Sequence, residues 1–172
     1  MERFGLIHSK LDLKILILFI LRRLPAAIDR EALSELVLQD EGVGYFDYTE
    51  CLSELQDTQH VERTEAGLRI TEKGERNCLA VESSLPYTVR ADAERALAPV
   101  VRAMNRSAMI SASHSALPEG GCLAELSMGD GVGEVISLHL LVPDPAQAEK
   151  MEAKFRAEAE KIYQRIVEIL SE

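Results

Sequence analysis

Apolar residues run unbroken from Ile15 to Leu21, and this is the strongest patterning signal in the chain. Ser9 and Asp12 precede the run as a capping pair and Pro25 follows it, so the spacing predicts a first helix that stops before Pro25. The run sits between Lys14 and Arg22-Arg23 and falls well short of the roughly 20 apolar residues a membrane helix needs, which identifies it as a buried core helix rather than a span or a secretion signal. Asp29 is placed to cap a second helix, with Ile28 and Leu33 as a hydrophobic staple and Leu33, Leu36 and Val37 on one face. Gly42 and Gly44 interrupt the pattern. Asp47 and Glu50 then form a capping-box pair, Phe46 and Cys51 occupy staple positions, and Tyr48, Cys51, Leu52 and Leu55 recur at helical spacing, predicting a third helix over 48–58. Two β-like segments, 60–64 and 68–70, flank the turn composition Glu65-Ala66-Gly67, and Thr71 caps a fourth helix.

Ser83-Ser84-Leu85-Pro86 reads as a linker, which places a domain boundary at 83/84. Val89, Ala93, Ala96, Leu97, Val100, Val101 and Met104 predict a helix bent near Pro99. Strand-like segments at 108–117, 122–128 and 134–142 are separated by Glu119-Gly120-Gly121 and Gly129-Asp130-Gly131, which predicts three antiparallel strands. Gly129-Asp130-Gly131-Val132-Gly133 has the look of a phosphate loop, but a strand rather than a helix follows it, so it reads as a hairpin turn. After Pro143, Asp144-Pro145 opens a last helix whose Met151, Phe155, Ala159, Ile162, Ile166 and Ile169 form a stripe for the sheet, with Lys150, Lys154, Glu158, Lys161 and Arg165 on the wet side.

The expected class is therefore α+β. Three helices, a small hairpin and a fourth helix follow one another in the order of a winged helix-turn-helix, expected over residues 1–83, with a smaller α+β domain over 84–172 made of a linking helix, a three-stranded antiparallel sheet and a long C-terminal helix. Tyr45, Leu52, Leu55, Val61 and the passage Leu68-Arg69-Ile70-Thr71-Glu72-Lys73-Gly74 resemble the wing-to-helix region of bacterial winged-helix regulators of the MarR and PadR type. Over its whole length, including Ile162-Tyr163-Gln164-Arg165-Ile166, the chain resembles more closely an uncharacterised bacterial family, domain of unknown function family 4364, which implies a winged-helix start and no established activity.

Charge cuts against the simplest consequence of that resemblance. Nineteen Lys and Arg against twenty-nine Asp and Glu give −10, and residues 1–80 carry ten basic against fifteen acidic side chains. Neither half is a basic module. The third helix lacks Lys and Arg and carries Glu50, Glu54 and Asp57, carboxylates that would face phosphates. Lys10, Lys14, Arg22, Arg23, Arg63, Arg69, Lys73 and Arg76 surround it and are expected to track a backbone. The expectation is a DNA-binding transcriptional regulator acting as a homodimer on double-stranded DNA, with Tyr48, Thr49, Ser53, Gln56, Arg63, Arg69 and Lys73 as contacts. The alternative is an adaptor that uses the acidic winged helix to bind another protein, without DNA.

Catalytic chemistry is not indicated. His8, His60, His114 and His139 stand at no metal-ligand spacing, and Cys51, Cys78 and Cys122 are too scattered for a disulfide framework or a metal knuckle, as expected of a cytoplasmic protein. His114 and His139, expected on adjacent strands near Ser113, Ser115 and Cys122, are the one candidate polar pocket. No nucleophile, base and orienting group line up, so no enzyme activity and no cofactor are expected.

Overall fold

The computed structural model describes residues 6–7, 9–39 and 42–171, and the mixed α+β chain divides into two compact units, 1–104 and 105–172. The first contains α1 (Lys10–Arg23), α2 (Arg30–Val37), α3 (Tyr45–Asp57), β1 (Val61–Thr64), β2 (Gly67–Ile70), α4 (Glu72–Val81) and most of α5 (Tyr87–Ala108). The second contains β3 (Ile110–Ala116), β4 (Cys122–Gly129), β5 (Glu134–Val142) and α6 (Pro145–Ser171).

α1 is the axis of the first unit. Every residue from Ile15 to Leu21 is buried, so the helix is enclosed on all sides, as a helix apolar all round must be. The Ser9 hydroxyl accepts from the Asp12 N–H at 3.0 Å and donates to its carboxylate at 2.7 Å, fixing the start where the sequence places it. Asp29 caps α2 through the Glu31 N–H, and Thr71 caps α4 through the Gly74 N–H. Leu33, Val37, Tyr48, Leu52, Leu55, Val61 and Cys78 close around α1 in one core.

The third helix begins earlier than expected. Its cap is Gly44, whose carbonyl accepts from the Tyr48 N–H at 3.0 Å, and Asp47 lies inside the first turn. A carboxylate there suits the positive end of the helix without acting as the cap. Phe46 is 86% exposed, so it staples nothing.

β1 and β2 pair antiparallel from Val61↔Ile70 to Thr64↔Gly67. Ile28 and Leu68 exchange two backbone hydrogen bonds, tying the start of α2 to the hairpin. Gly67 has φ +126°, and a Cβ there would run into the Ile28 carbonyl, so this junction requires glycine.

The boundary between units lies later than 83/84. Leu85, Val89, Ala93 and Leu97 are buried in the same core as α1, because Glu82–Ser84 forms a short 3-10 turn that carries Leu85 inward. α5 continues through Pro99.

In the second unit the three strands lie in the order β3-β4-β5, antiparallel throughout, with Leu126 and Met128 of β4 and Ala112 of β3 clustered with Phe155 and Ala159 of α6. The Asp144 carboxylate accepts from the Gln147 N–H at the start of α6. Ala148, Glu152, Phe155 and Ala159 are the buried side of this helix, which has non-helical backbone at Glu158. The apolar stripe outruns its cover: Ile162 and Tyr163 are only partly buried against the sheet cluster, and Ile169 is exposed rather than packed. The 129–133 segment is a turn in which the Asp130 carboxylate accepts from the Val132 and Gly133 N–H groups, and β5 follows directly.

Gly74→Ala tests the packing of α4 on the hairpin. Alanine ordinarily favours a helix interior, but a Cβ at 74 would overlap the His60 carbonyl. The expected result in urea denaturation is a loss of about 1–3 kcal/mol, and a gain in stability would contradict this packing.

Candidate nucleic-acid interface

α3 has three sides. Tyr48, Cys51, Leu52 and Leu55 face the core. Glu50 and Glu54 turn to α1, where Lys10 meets Glu50 at 2.6 Å and Lys14 pairs with Glu54, while Asp47 lines a cleft with Lys10 and Leu13. Tyr45, Phe46, Ser53 and Asp57 are exposed on the third side, where Thr49 and Gln56 are half-buried. The hydrogen bonds to Lys14 hold the Glu54 carboxyl below its usual range, so it is ionised at neutral pH. The two glutamates therefore lean toward lysines of α1 rather than toward the Thr49 and Gln56 side, while their side chains stay 53% and 43% exposed. The matched spacing of Lys10 with Lys14 and of Glu50 with Glu54, four residues in each case, was the available signal for this pairing.

The same geometry removes four cations from the expected backbone-tracking set. Lys10 and Lys14 are engaged with α3, and Arg22 and Arg23 both bond the Glu82 carboxylate, at 3.1–3.2 Å. Arg23 also meets Glu94 at 3.2 Å, and its guanidinium lies 3.4 Å from the Phe19 ring centroid. Burial pushes the Glu82 carboxyl up, but the bonds from Arg23 and Arg22 outweigh it and hold the group below its usual 4.5.

Of the expected contacts, Tyr48 is corrected. It is 0% exposed, its hydroxyl donates to the Arg30 carbonyl at 3.3 Å, and burial raises its phenol to about 12. It is a core residue, as its place in the apolar stripe required. Thr49, Ser53 and Gln56 share one side of α3, and Gln56 and Arg63 line a cleft with Arg30 of α2. A second cleft is lined by Gln56 and Arg63 together with Lys73, Arg76, Glu62 and Glu72. Arg69 points to Glu62 at 3.6 Å across the hairpin, and the Lys73 ammonium donates to the Thr58 carbonyl beyond the end of α3. Among the described residues, Arg30, Arg63 and Arg76 have no carboxylate within ion-pair distance. Arg76 was expected only among the backbone-tracking cations, and Arg30 was not expected at all; it comes beside Gln56 and Arg63 only when the start of α2 is placed in space.

The chain matches over residues 13–170 the family described as a domain of unknown function, DUF4364. It belongs to the DUF4364 family. No curated protein and no solved structure matches it. No described helix of this DUF4364 chain is long and apolar enough to cross a membrane.

The candidate pocket of His114 and His139 in the second unit does not form. β4 separates β3 from β5, and the register puts His114 on the sheet face of Ala124 and Leu140, while His139 shares the opposite face with Ser113 and Glu125. His139 approaches Glu125 at 3.7 Å, and Cys122 is buried. His114 instead places Nδ1 2.5 Å from the buried Glu152 carboxylate, which Arg156 also approaches at 3.3 Å. The His114 bond holds the Glu152 carboxyl low, and an ionised carboxylate only accepts, so Nδ1 carries the proton. Arg156 also donates to the Ala112 carbonyl, and the cluster clamps α6 to β3. Glu152 occupied a position within the apolar side of α6, one turn before Phe155, which was its only signal. His60 is closed off by Thr58 and Asn77 at its two ring nitrogens, and His8 lies outside the described residues. Among the described residues no three His, Cys, Asp or Glu side chains gather as a metal site.

Tyr48→Phe removes one hydroxyl from the core and nothing from the surface. It is expected to cost about 0.5–1.5 kcal/mol in denaturation and to leave any ligand affinity unchanged; a change in affinity with unaltered stability would restore Tyr48 as a contact. Glu82 gives a pH test. A carboxyl lowered by folding contributes stability above its unfolded value that is lost as pH falls through its lower folded value. Between about pH 5 and 3, Glu82→Gln should therefore lose stability less steeply than the unaltered chain, and parallel curves would rule out this contribution.

Proposed function

We propose that this DUF4364 chain is a DNA-binding transcriptional regulator whose first unit is a winged helix, with α3 facing the major groove and the β1–β2 hairpin beside it. The observation that carries this reading is the turning of Glu50 and Glu54 toward Lys10 and Lys14. It takes those carboxylates off the side of α3 that a duplex would meet and leaves Thr49, Ser53 and Gln56 there, flanked by Arg30, Arg63, Lys73 and Arg76. Side chains of α3 then meet base edges and the flanking cations meet phosphates. The resemblance of the Leu68–Gly74 passage to winged-helix regulators supports the same assignment.

A second reading, docking of the same surface on another protein, draws on the net charge of −10 and on the exposed Tyr45 and Phe46. Phosphate contact separates the two, because it makes log affinity fall linearly with log salt. Fluorescence anisotropy with mixed genomic duplexes at several salt concentrations is expected to show that slope. Arg63→Ala should weaken binding to all sequences alike and lower the slope by about one. Absence of binding at low salt would contradict the regulator reading and favour the adaptor.

A further inference from the structure

α3 carries neither Arg nor Lys. Guanine is most often read by one of those two side chains reaching O6 and N7 together, so α3 holds no group suited to it. Its outward side fits the other base pair. A glutamine amide matches adenine N6 and N7, and phenylalanine or a threonine methyl packs on the C5-methyl of thymine. Phe46, Thr49, Ser53 and Gln56 follow at steps of three and four residues and so share one face. Phe46 is 86% exposed and Tyr45 57%, their ring centroids 6.4 Å apart. The Thr49 hydroxyl donates back to the Phe46 carbonyl at 2.9 Å, so its methyl is the part left for an apolar contact. From Phe46 to Gln56 the helix advances about 15 Å, the length of roughly four stacked base pairs.

Duplex DNA is the occupant these side chains favour over an apolar protein surface, because the Gln56 end of the stripe is bordered by Arg30, Arg63 and Arg76, which have no carboxylate within ion-pair distance among the described residues, although Asp29, Glu62, Glu65 and Glu72 line the same clefts. Arg30 and Arg63 flank Gln56 in one cleft, and Arg63, Lys73 and Arg76 flank it in the next. We propose that α3 reads A·T base pairs in the major groove, with Phe46 and Thr49 on thymine methyl groups and Gln56 bridging adenine N6 and N7. This rests on the DNA-binding reading and specifies its sequence class.

Three duplexes of one length test it by anisotropy at one salt concentration: A·T-rich, G·C-rich, and the A·T-rich sequence with uracil for thymine. Uracil removes the methyl and nothing else. The A·T-rich duplex should bind about tenfold more tightly than the G·C-rich one, and each contacted thymine replaced by uracil should cost about four-fold. Phe46→Ala, at an exposed position where circular dichroism should show an unchanged fold, should reduce the thymine–uracil difference to the part carried by Thr49 and keep the salt slope. Equal binding of the thymine and uracil duplexes overturns the methyl contacts, whether or not an A·T preference remains, while the DNA-binding reading stands. Failure of every duplex to bind at low salt overturns both.

Discussion

The burial of α1 on all sides is the constraint on which the first unit depends. A helix whose residues 15–21 are all enclosed needs partners around its full circumference, and α2, α3, α4, the hairpin and the first part of α5 supply them. Its two ends cannot follow it inward and are charged. Lys10 and Lys14 at one end take up the glutamates of α3, and Arg22 and Arg23 at the other take up Glu82. The apolar demand of one helix thus fixes where four cations and three carboxylates of the unit lie.

That arrangement changes what an acidic composition means for the surface. Net charge counts every carboxylate equally, whereas a phosphate meets only those turned toward it. α3 is acidic as a sequence and largely neutral on its outward side, with Asp57 in its last turn remaining there. The cations beside it come from α2, the hairpin and α4, elements that converge only in the folded chain. The second unit uses its charges differently: His114, Glu152 and Arg156 form a partly buried clamp of helix on sheet, with no nucleophile among them.

Much of this fold was legible in the sequence because its local signals were also its global ones. Ser9, Asp29 and Thr71 cap the helices they precede, the hairpin lies where Glu65-Ala66-Gly67 calls for a turn, and β3, β4 and β5 are separated by the glycine turns at 120–121 and 129–133. The misreadings arose where one residue satisfied two patterns. Asp47 fits a capping box yet sits in the first turn, since the chain was already helical from Tyr45. Ser83-Ser84-Leu85-Pro86 has a linker's composition, but Leu85 is a core residue that a polar neighbourhood disguised. Tyr48 fitted both the core stripe and the contact surface, and burial decided it. The pairing of α1 lysines with α3 glutamates left only a matched four-residue spacing in the sequence, because it depends on the angle at which two distant helices pack.

The most direct test of the central claim is amide chemical-shift mapping of the isotope-labelled chain titrated with duplex DNA at low salt. The expected result places the largest shifts at Phe46, Thr49, Ser53, Gln56 and Arg63, with Glu50 and Glu54 little affected. Shifts confined to the second unit, or none on addition of excess duplex, would contradict the account.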